Sequence, residues 1–393
     1  MTIASKVSAA MKKSSWIRRM FEEGEEMKRK VGAENVFDFS LGNPIMEPPA
    51  LFGKRLREVI EAGDSHGYTG PFGLDEVRTA IARRRAKSTG LPFTAENIIM
   101  TCGAAGGFNV ALRAIVDRGD EVIIFVPYFV EYLFYIDNCG GKAVLVETAQ
   151  DFGIDLAELE KALSPRTKAV VINSPNNPTG RVYDEDMIAK LARVLSQAEK
   201  KFGHEIYLMA DEPYRAIVYD GVRVPEIFNH YENSMVITSH SKDLGLAGER
   251  IGHIALRPGI AEYDELRKAF AFTTRALGFK SSPSTMQQVV SALQDASVDV
   301  AAYGRKRSML CEALKKYGFR FRLPEGAFYL FPETPTGDDV AFVKELQEEC
   351  VLTVPGSGFG RAGHIRISYC VEDETIERSM PGFEKVAKRT GMI

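Results

Sequence analysis

The sequence of 393 residues predicts an α/β fold with a mainly parallel, seven-stranded sheet between helices. Short runs rich in Val and Ile follow one another through the middle of the chain, without the strict polar alternation of a half-exposed sheet. Strands of this composition are typical of parallel sheets that helices cover on both faces. Longer segments with helical spacing separate several of these runs, and this alternation favours the same architecture.

The candidate strands and helices can be placed in chain order. The predicted strands are Asn97–Thr101, Glu121–Val126, Lys142–Glu147, Thr167–Asn173, Ile206–Asp211, Ser234–Ser239 and Ile251–Leu256. The predicted helices between them include Ala104–Val116, Leu156–Leu163 and Asp184–Phe202.

The two ends of the chain predict a smaller α+β domain. Residues 1–30 have the pattern of a charged helix. The predicted elements beyond residue 280 are helices Ser284–Ala296, Tyr303–Tyr317 and Asp338–Glu349, a final helix, and strands around Phe321, at Phe328–Phe331 and at His364–Tyr369. We therefore predict a large domain of residues 46–280 and a discontinuous small domain of residues 1–45 and 281–393.

Composition excludes several classes of protein. The chain has 50 Lys and Arg residues against 53 Asp and Glu residues, so it lacks the basic excess expected of a partner of nucleic acid or of an anionic membrane. Five cysteines without a C-x-x-C pair do not predict a disulfide scaffold or a structural metal site. The longest apolar run, Val122–Val130, is too short to cross a bilayer, and the first residues do not read as a signal peptide. We expect a soluble, cytoplasmic protein without a metal site.

Two titratable residues come at the ends of predicted strands. Lys242 follows an apolar strand, where a lysine either extends to the surface or serves as an amine nucleophile with a lowered pKa. Asp211 ends another strand, at the sheet edge where ligands bind in open α/β folds. It either caps the turn before Pro213 or binds a protonated ring nitrogen.

Two loops and two arginines belong to the same predicted region. The turn Thr101–Gly107 has glycines between a strand and a helix, which suits either close packing or phosphate binding by backbone N–H groups. The loop Ser174–Gly180 follows a strand at the same edge. Arg250 follows Lys242, and Arg366 lies within an apolar strand, where it needs an anionic partner from the protein or from a substrate.

From about Phe37 to Val371 these fragments together resemble the class I/II aminotransferases, fold-type-I enzymes dependent on pyridoxal phosphate. The fragments that carry the resemblance, in chain order, are Ser40-Leu-Gly-Asn-Pro, Tyr68-Thr-Gly-Pro-Phe-Gly-Leu, Gly103-Ala-Ala, Pro127-Tyr-Phe-Val-Glu-Tyr, Asn176-Asn-Pro-Thr-Gly, Asp211-Glu-Pro-Tyr, Ser239-His-Ser-Lys, Gly248-Glu-Arg-Ile-Gly, Pro324-Glu-Gly-Ala-Phe-Tyr and Arg366-Ile-Ser. Each fragment alone is modestly specific, but their common order and spacing are highly specific.

The resemblance implies a role for each matching residue. Lys242 is the lysine that forms a Schiff base with pyridoxal phosphate, and Asp211 is the partner of the ring nitrogen. The other implied cofactor contacts are Asn177 and Tyr214 at the phenolic oxygen, Phe129 on the ring, and Ala104, Ala105, Ser239 and Arg250 at the phosphate. Arg366 is implied to bind the substrate α-carboxylate, with Gly42 in the loop that closes over it and Asn177 also at the substrate. Tyr68 is implied to reach the cofactor of a neighbouring subunit, so the resemblance implies a homodimer with shared sites.

The activity implied is transfer of the amino group of an L-amino acid to a 2-oxo acid. A carbon–sulfur lyase or another Cα reaction is an alternative, because the same cofactor residues serve several reactions on this fold. A ligand-sensing regulator would need a DNA-binding segment, and a nicotinamide dehydrogenase would need an early G-x-G-x-x-G; the sequence has neither pattern. Ile45 stands where an acidic residue is common in relatives, so the resemblance does not specify which amino acid is used.

Overall fold

The structure is a computed structural model that describes residues 3–13 and 16–393. Its strands are Phe37–Asp38 (β1), Ile98–Thr101 (β2), Glu121–Val126 (β3), Lys142–Glu147 (β4), Thr167–Asn173 (β5), Tyr207–Asp211 (β6), Ser234–Ser239 (β7), Gly252–Leu256 (β8), Tyr329–Leu330 (β9), Val351–Leu352 (β10), Val354–Pro355 (β11) and Ile365–Ser368 (β12). Its α-helices are Ser5–Lys13 (α1), Trp16–Val31 (α2), Ala50–Ala62 (α3), Asp75–Thr89 (α4), Gly103–Ile115 (α5), Glu131–Asn138 (α6), Leu156–Ala162 (α7), Glu185–Phe202 (α8), His240–Asp243 (α9), Tyr263–Ala276 (α10), Ser284–Ser291 (α11), Val300–Lys316 (α12), Asp339–Glu348 (α13) and Asp373–Arg389 (α14).

The main sheet has seven strands in the order β2-β8-β7-β6-β5-β3-β4. Its neighbouring strands are parallel except for β8, which runs antiparallel to β2 and β7. The predicted α/β fold with a mainly parallel, seven-stranded sheet is therefore confirmed.

Helices cover both faces of this sheet. In β3, Ile123 and Phe125 belong to one buried apolar cluster, while Val122, Ile124 and Val126 belong to another. Because successive side chains of a strand point to opposite faces, this division explains the continuous apolar runs of the sequence.

A third apolar cluster joins both ends of the chain. It includes Phe39 near the start, Phe328 and Ile365 in the last third, and Phe383 in α14. Here β1 pairs in parallel with β10, while β9, β12 and β11 form a small antiparallel sheet.

The strands β3, β4, β5 and β7 have the predicted bounds, and most other predicted elements are present with their ends displaced by one to several residues. The predicted helix that starts at Ser284 ends at Ser291 rather than Ala296. The predicted N-terminal helix is two helices, α1 and α2, in the described residues, and residues 1, 2, 14 and 15 of that prediction lie outside them.

The predicted strand around Phe321 is wrong, because this segment is irregular. The ring of Phe321 packs against the third apolar cluster without any strand pairing. Pro324 follows closely, and a proline fixes φ and cannot donate to a β-ladder.

None of the helices in the described chain is both long enough and apolar enough to cross a membrane.

Candidate active site

The carboxyl ends of the parallel strands bring the predicted site residues to one edge of the sheet. β5 ends at Asn173, β6 at Asp211 and β7 at Ser239. β2 ends at Thr101 beside the start of β8, because these two strands are antiparallel. This is the edge at which ligands bind in open α/β sheets.

The cleft is the region between this edge of the sheet and the segment of residues 40–42, which Lys242 and Arg366 both contact. Lys242 lies on α9, the short helix that follows β7, and its side chain points into this cleft. Its Nζ donates a hydrogen bond of 2.6 Å to the carbonyl oxygen of Gly42. Burial lowers the pKa of the Lys242 amine to about 8; the cations Arg366 and Arg250 act in the same direction, while Cys370 opposes them. A larger fraction of this lysine is therefore neutral near pH 7 than of an exposed lysine.

Asp211 has one carboxylate oxygen paired and one unpaired. Its Oδ2 accepts a 2.5 Å hydrogen bond from the hydroxyl of Tyr132 in α6. Its buried Oδ1 has no hydrogen-bond partner in the part of the chain that the structure describes. Burial raises the pKa of Asp211 to about 7, although the Tyr132 hydrogen bond acts to lower it. The unpaired oxygen can accept a hydrogen bond from a cationic donor, whose charge would also favour the ionised carboxylate.

The loop after β5 is fixed to the end of β6. Asn173 Nδ2 donates to the carbonyl oxygen of Asp211 at 3.0 Å, and Asn173 Oδ1 accepts from the backbone N–H of Asn177 at 2.7 Å. Thr179 donates through its backbone N–H and its hydroxyl to Asn176 Oδ1. These bonds hold the backbone of Asn177 beside the strand that presents Asp211.

The start of α5 forms a potential anion site. Ala104 and Ala105 lie in its first turn, where backbone N–H groups have no intrahelical acceptor. Gly103 adopts a φ of 70°, and a Cβ built there would lie 3.0 Å from Arg250 Nη2. The hydroxyl of Ser239, the residue before α9, forms no capping hydrogen bond with that helix. Together these residues offer N–H groups, a guanidinium and a hydroxyl to a phosphate.

Arg366 is buried in β12 and connects three parts of the chain. Its Nη2 donates to the carbonyl oxygen of Ser40 at 2.6 Å, and its Nη1 donates to Asn177 Oδ1 at 3.1 Å. The rings of Tyr329 and Phe359 each lie 4.8 Å from the guanidinium carbon. No carboxylate of the described chain pairs with this guanidinium, so its charge is available to an anionic substrate.

Tyr214 and Gly42 also lie in this cleft. The hydroxyl of Tyr214 is 2.8 Å from that of Tyr329, and both tyrosines are buried. A Cβ on Gly42 would collide with the hydroxyl of Tyr329, so the backbone at residue 42 can approach this close only without a side chain.

Phe129 contacts Tyr132, which is bonded to Asp211, whereas the described contact of Tyr68 lies outside the cleft of the same chain. The ring of Phe129 packs edge-on against Tyr132 with centroids 5.6 Å apart. Tyr68 is 89% exposed, and its described contact is with Lys280 at 5.5 Å rather than with a residue of the cleft.

Sequence reasoning assigned no role to Tyr132, Tyr329 or Ser40. All three lie inside sequence fragments that resemble the aminotransferases, so the motifs could have drawn attention to them. Tyr132 also follows Phe129 by three residues, which places the two on one face of a helical turn.

Comparisons with known proteins agree on a single family. The model of the family described as aminotransferase class I and II matches residues 34–380. The aspartate/prephenate aminotransferase of Thermus thermophilus is 34% identical over 361 residues, which are 88% of this chain and 90% of that protein. The aspartate aminotransferase of Thermotoga maritima is 31% identical over 384 residues, 96% of each chain.

Solved structures give the same result. An amino transferase from Eubacterium rectale superposes with a TM-score of 0.95 at 40% identity and covers 99% of both chains. The aspartate aminotransferase of Thermus thermophilus with maleate superposes with a TM-score of 0.86 at 30% identity, over 98% of this chain and 100% of the other.

Proposed function

The chain belongs to the class I and II aminotransferases, which are fold-type-I enzymes dependent on pyridoxal phosphate, and we propose that Lys242, Asp211 and Tyr214 are its catalytic residues. The protein transfers the amino group of an L-amino acid to a 2-oxo acid. The observation that carries the assignment of residues is the position of these two groups at the ends of the neighbouring strands β6 and β7, where Asp211 is buried with one unpaired oxygen and Lys242 has a lowered pKa.

The cleft fits pyridoxal phosphate on the chemistry of its groups. The unpaired Asp211 Oδ1 suits a protonated ring nitrogen, and the start of α5 with Arg250 suits a phosphate. We assign Ala104, Ala105, Ser239 and Arg250 to the phosphate, Asn177 and Tyr214 to the phenolic oxygen, and Phe129 to the ring face. When bound, this cofactor supplies the electron sink that accepts the charge left at the substrate Cα.

In this proposal Lys242 carries the proton at Cα. An amine with a pKa of about 8 exists partly as the free base near neutral pH, so it can take up a proton and return it. In the same proposal the buried Asp211 holds negative charge, and Tyr214 donates through a hydroxyl that lies 2.8 Å from that of Tyr329.

Arg366 binds the substrate α-carboxylate in this proposal. Its guanidinium is fixed by Ser40, Asn177 and two aromatic rings, and its five N–H donors form the planar fork that matches a carboxylate. Gly42 keeps the backbone beside it free of a side chain.

We predict that Arg366→Lys raises KM by about 10–100-fold with a smaller effect on kcat, because a point charge replaces two directed hydrogen bonds. Steady-state kinetics with an amino acid and a 2-oxo acid measure both constants. Arg361→Lys is the control, because Arg361 pairs with Glu147 on the surface of the same region. An unchanged KM in Arg366→Lys would contradict the carboxylate contact.

The reaction and the amino acid used can be tested together. The relatives are named for aspartate, prephenate and aromatic amino acids, and the substrates of this chain are proposed to come from the same group. The measurement is product analysis with L-aspartate, L-glutamate, L-phenylalanine or L-tyrosine together with a 2-oxo acid acceptor, and separately with L-cystathionine, whose C–S bond a lyase would cleave, without any acceptor. We expect a 2-oxo acid and a new amino acid in equal amounts; pyruvate and ammonia formed without an acceptor would identify a lyase instead.

We also propose the division into domains and a homodimer with shared sites. The apolar cluster that joins Phe39 to Phe328, Ile365 and Phe383 supports a small domain of residues 1–45 and 281–393, beside a large domain of residues 46–280. Tyr68, which is exposed in one chain, is proposed to reach the phosphate in the partner's site.

The shared site predicts complementation between two inactive variants. Mixing Tyr68→Ala with Lys242→Ala protein under conditions of subunit exchange places one intact site in each mixed dimer, so random mixing should restore about a quarter of the wild-type sites. Activity is measured before and after exchange. A mixture of Lys242→Ala and Lys242→Arg proteins is the control and should stay inactive. No recovery in the first mixture would show that each subunit completes its own site.

A further inference from the structure

The orientation of the buried Arg366 guanidinium depends on two neutral acceptors. Its Nη2 donates to the carbonyl oxygen of Ser40 at 2.6 Å, and its Nη1 donates to Asn177 Oδ1 at 3.1 Å. Each terminal nitrogen has two N–H groups, so one on each remains available to a carboxylate. The direction in which these free groups point is therefore set by whatever fixes the two acceptors.

Asp38 in β1 binds the residue that supplies the first of these acceptors. Its Oδ1 accepts hydrogen bonds from the backbone N–H of Ser40 at 3.0 Å and from the Ser40 hydroxyl at 2.6 Å. Aspartate side chains commonly bind nearby backbone N–H groups in this way. Ser40 is completely buried and the Asp38 side chain is 15% exposed, so water has little access to these bonds.

The peptide group between Phe39 and Ser40 is held at both of its ends. The carbonyl oxygen of Phe39 accepts a 2.9 Å hydrogen bond from the backbone N–H of Ser368, and the N–H of Ser40 donates to Asp38. Ser368 and Arg366 both belong to β12. With this peptide group fixed against β12, only the rotations at the Cα of Ser40 separate it from the carbonyl that Arg366 binds. The second Asp38 bond, to the Ser40 hydroxyl, restricts the same residue.

The two carboxylate oxygens of Asp38 have different partners. Oδ2 lies 3.4 Å from Nζ of Lys28 in α2, and this lysine also pairs with Glu25 at 2.9 Å. Partly exposed ion pairs of this kind contribute little free energy. It is Oδ1 that bonds to Ser40, so the two contacts of the carboxylate can be removed separately.

We propose that Asp38 is a positioning residue, which orients the Arg366 guanidinium for the substrate α-carboxylate through the carbonyl oxygen of Ser40. This role rests on the proposed function, in which Arg366 binds that carboxylate. Without Asp38 the guanidinium turns, and one of its two directed hydrogen bonds to the carboxylate is lost. Because the α-carboxylate keeps its charge throughout the reaction, the loss weakens binding of the ground state and of the transition state alike, and it raises KM.

The first test is steady-state kinetics of the holoenzyme with L-aspartate or L-phenylalanine and with 2-oxoglutarate. Asp38→Ala should raise the KM for the amino acid by about tenfold and leave kcat within about twofold of the wild type. Asp38→Asn keeps the Oδ1 acceptor, and its KM should stay within about threefold of the wild type. Lys28→Ala is the matched control, because it removes only the partner of Oδ2 and should leave both constants unchanged.

Two results of these measurements would overturn the role of Asp38. The first is an unchanged KM in Asp38→Ala. The second is a KM raised as much in Lys28→Ala or Asp38→Asn as in Asp38→Ala, because the charge of Asp38 would then matter rather than its bonds to Ser40. If melting curves show that Asp38→Ala does not fold, Ser40→Ala removes the shorter of the two bonds and should raise KM about threefold. An unchanged KM in that variant has the same meaning.

A double variant and a structure distinguish the positioning of Arg366 from a general effect on the fold. In an Arg366→Lys background, Asp38→Ala should change KM by less than about twofold, because the directed guanidinium on which Asp38 acts is absent. An increase of about tenfold in that background would overturn the proposed link. A crystal structure of Asp38→Ala should show Arg366 Nη2 displaced from the carbonyl oxygen of Ser40, and a retained hydrogen bond would also overturn it.

The outcomes separate this role from the proposed function. An unchanged KM in Arg366→Lys would contradict the carboxylate contact, and the role of Asp38 with it. A raised KM in Arg366→Lys together with an unchanged KM in Asp38→Ala would leave the proposed function standing and overturn the role of Asp38 alone. The crystal structure reports the direction of the guanidinium whichever amino acid is the substrate.

Discussion

Replacing Lys242 with alanine is expected to lower turnover by at least ~10²–10⁴-fold, the contribution of a positioned general acid or base. Alanine has no amine to carry the proton at Cα, and no other lysine of the described chain donates to the carbonyl oxygen of Gly42. The variant should also lose the yellow colour of the holoenzyme, because alanine cannot form the Schiff base with pyridoxal phosphate to which that colour is due. The measurements are kcat and the visible absorption spectrum of the purified protein.

Lys190→Ala is the control for this experiment. Lys190 is exposed on α8, where it pairs with Asp186, and its removal should change neither readout. A Lys242→Ala protein that keeps the visible band of the wild type and its turnover would refute the assignment of this lysine.

Replacing Asp211 with asparagine is expected to reduce kcat by two or more orders of magnitude, because the side chain keeps its shape but loses its charge. Asparagine cannot hold a neighbouring ring nitrogen in the protonated state as a carboxylate can. Asp211→Ala should be equally impaired, which would show that the charge matters rather than the packing. Turnover and the pH dependence of the visible spectrum are the measurements.

The control is Glu121→Gln, which neutralises another buried carboxylate of the same sheet. Glu121 starts β3 at the opposite edge, where it pairs with Arg166 at 2.8 Å. This change should affect stability but not the spectrum. Near-normal turnover in Asp211→Asn would contradict the proposed role of Asp211.

The sheet could be predicted because its strands are buried on both faces. A strand in this position needs apolar residues throughout, and such runs are visible in one sequence. The same logic led to Asp211 and Lys242, since a charged residue directly after a buried strand stands out. The strand predicted around Phe321 was wrong, because an aromatic residue that packs against the core can belong to an irregular segment as well as to a strand.

The contacts that complete the cleft could not be predicted from local patterns. Arg366 donates to the carbonyl oxygen of Ser40, 326 residues away, and Tyr132 bonds to Asp211, 79 residues away. Every residue has a backbone carbonyl, so residue types do not show which carbonyls accept a side-chain hydrogen bond, and Ser40 and Gly42 could not be identified as acceptors. The individual roles of Asn177, Tyr214 and Ser239 came from the family resemblance and not from composition or spacing.

The hydrogen bond between Ser40 and Arg366 has a consequence for synthesis of the chain on the ribosome. Ser40 is translated early, and its guanidinium partner is added 326 residues later. At 5–20 residues per second, this interval lasts roughly 20–60 s. The carbonyl oxygen of Ser40 therefore stays exposed to water, without its Arg366 partner, until almost the entire polypeptide has been made. A nascent chain stalled before β12 would contain Lys242 and Asp211 but could not assemble the carboxylate end of the cleft.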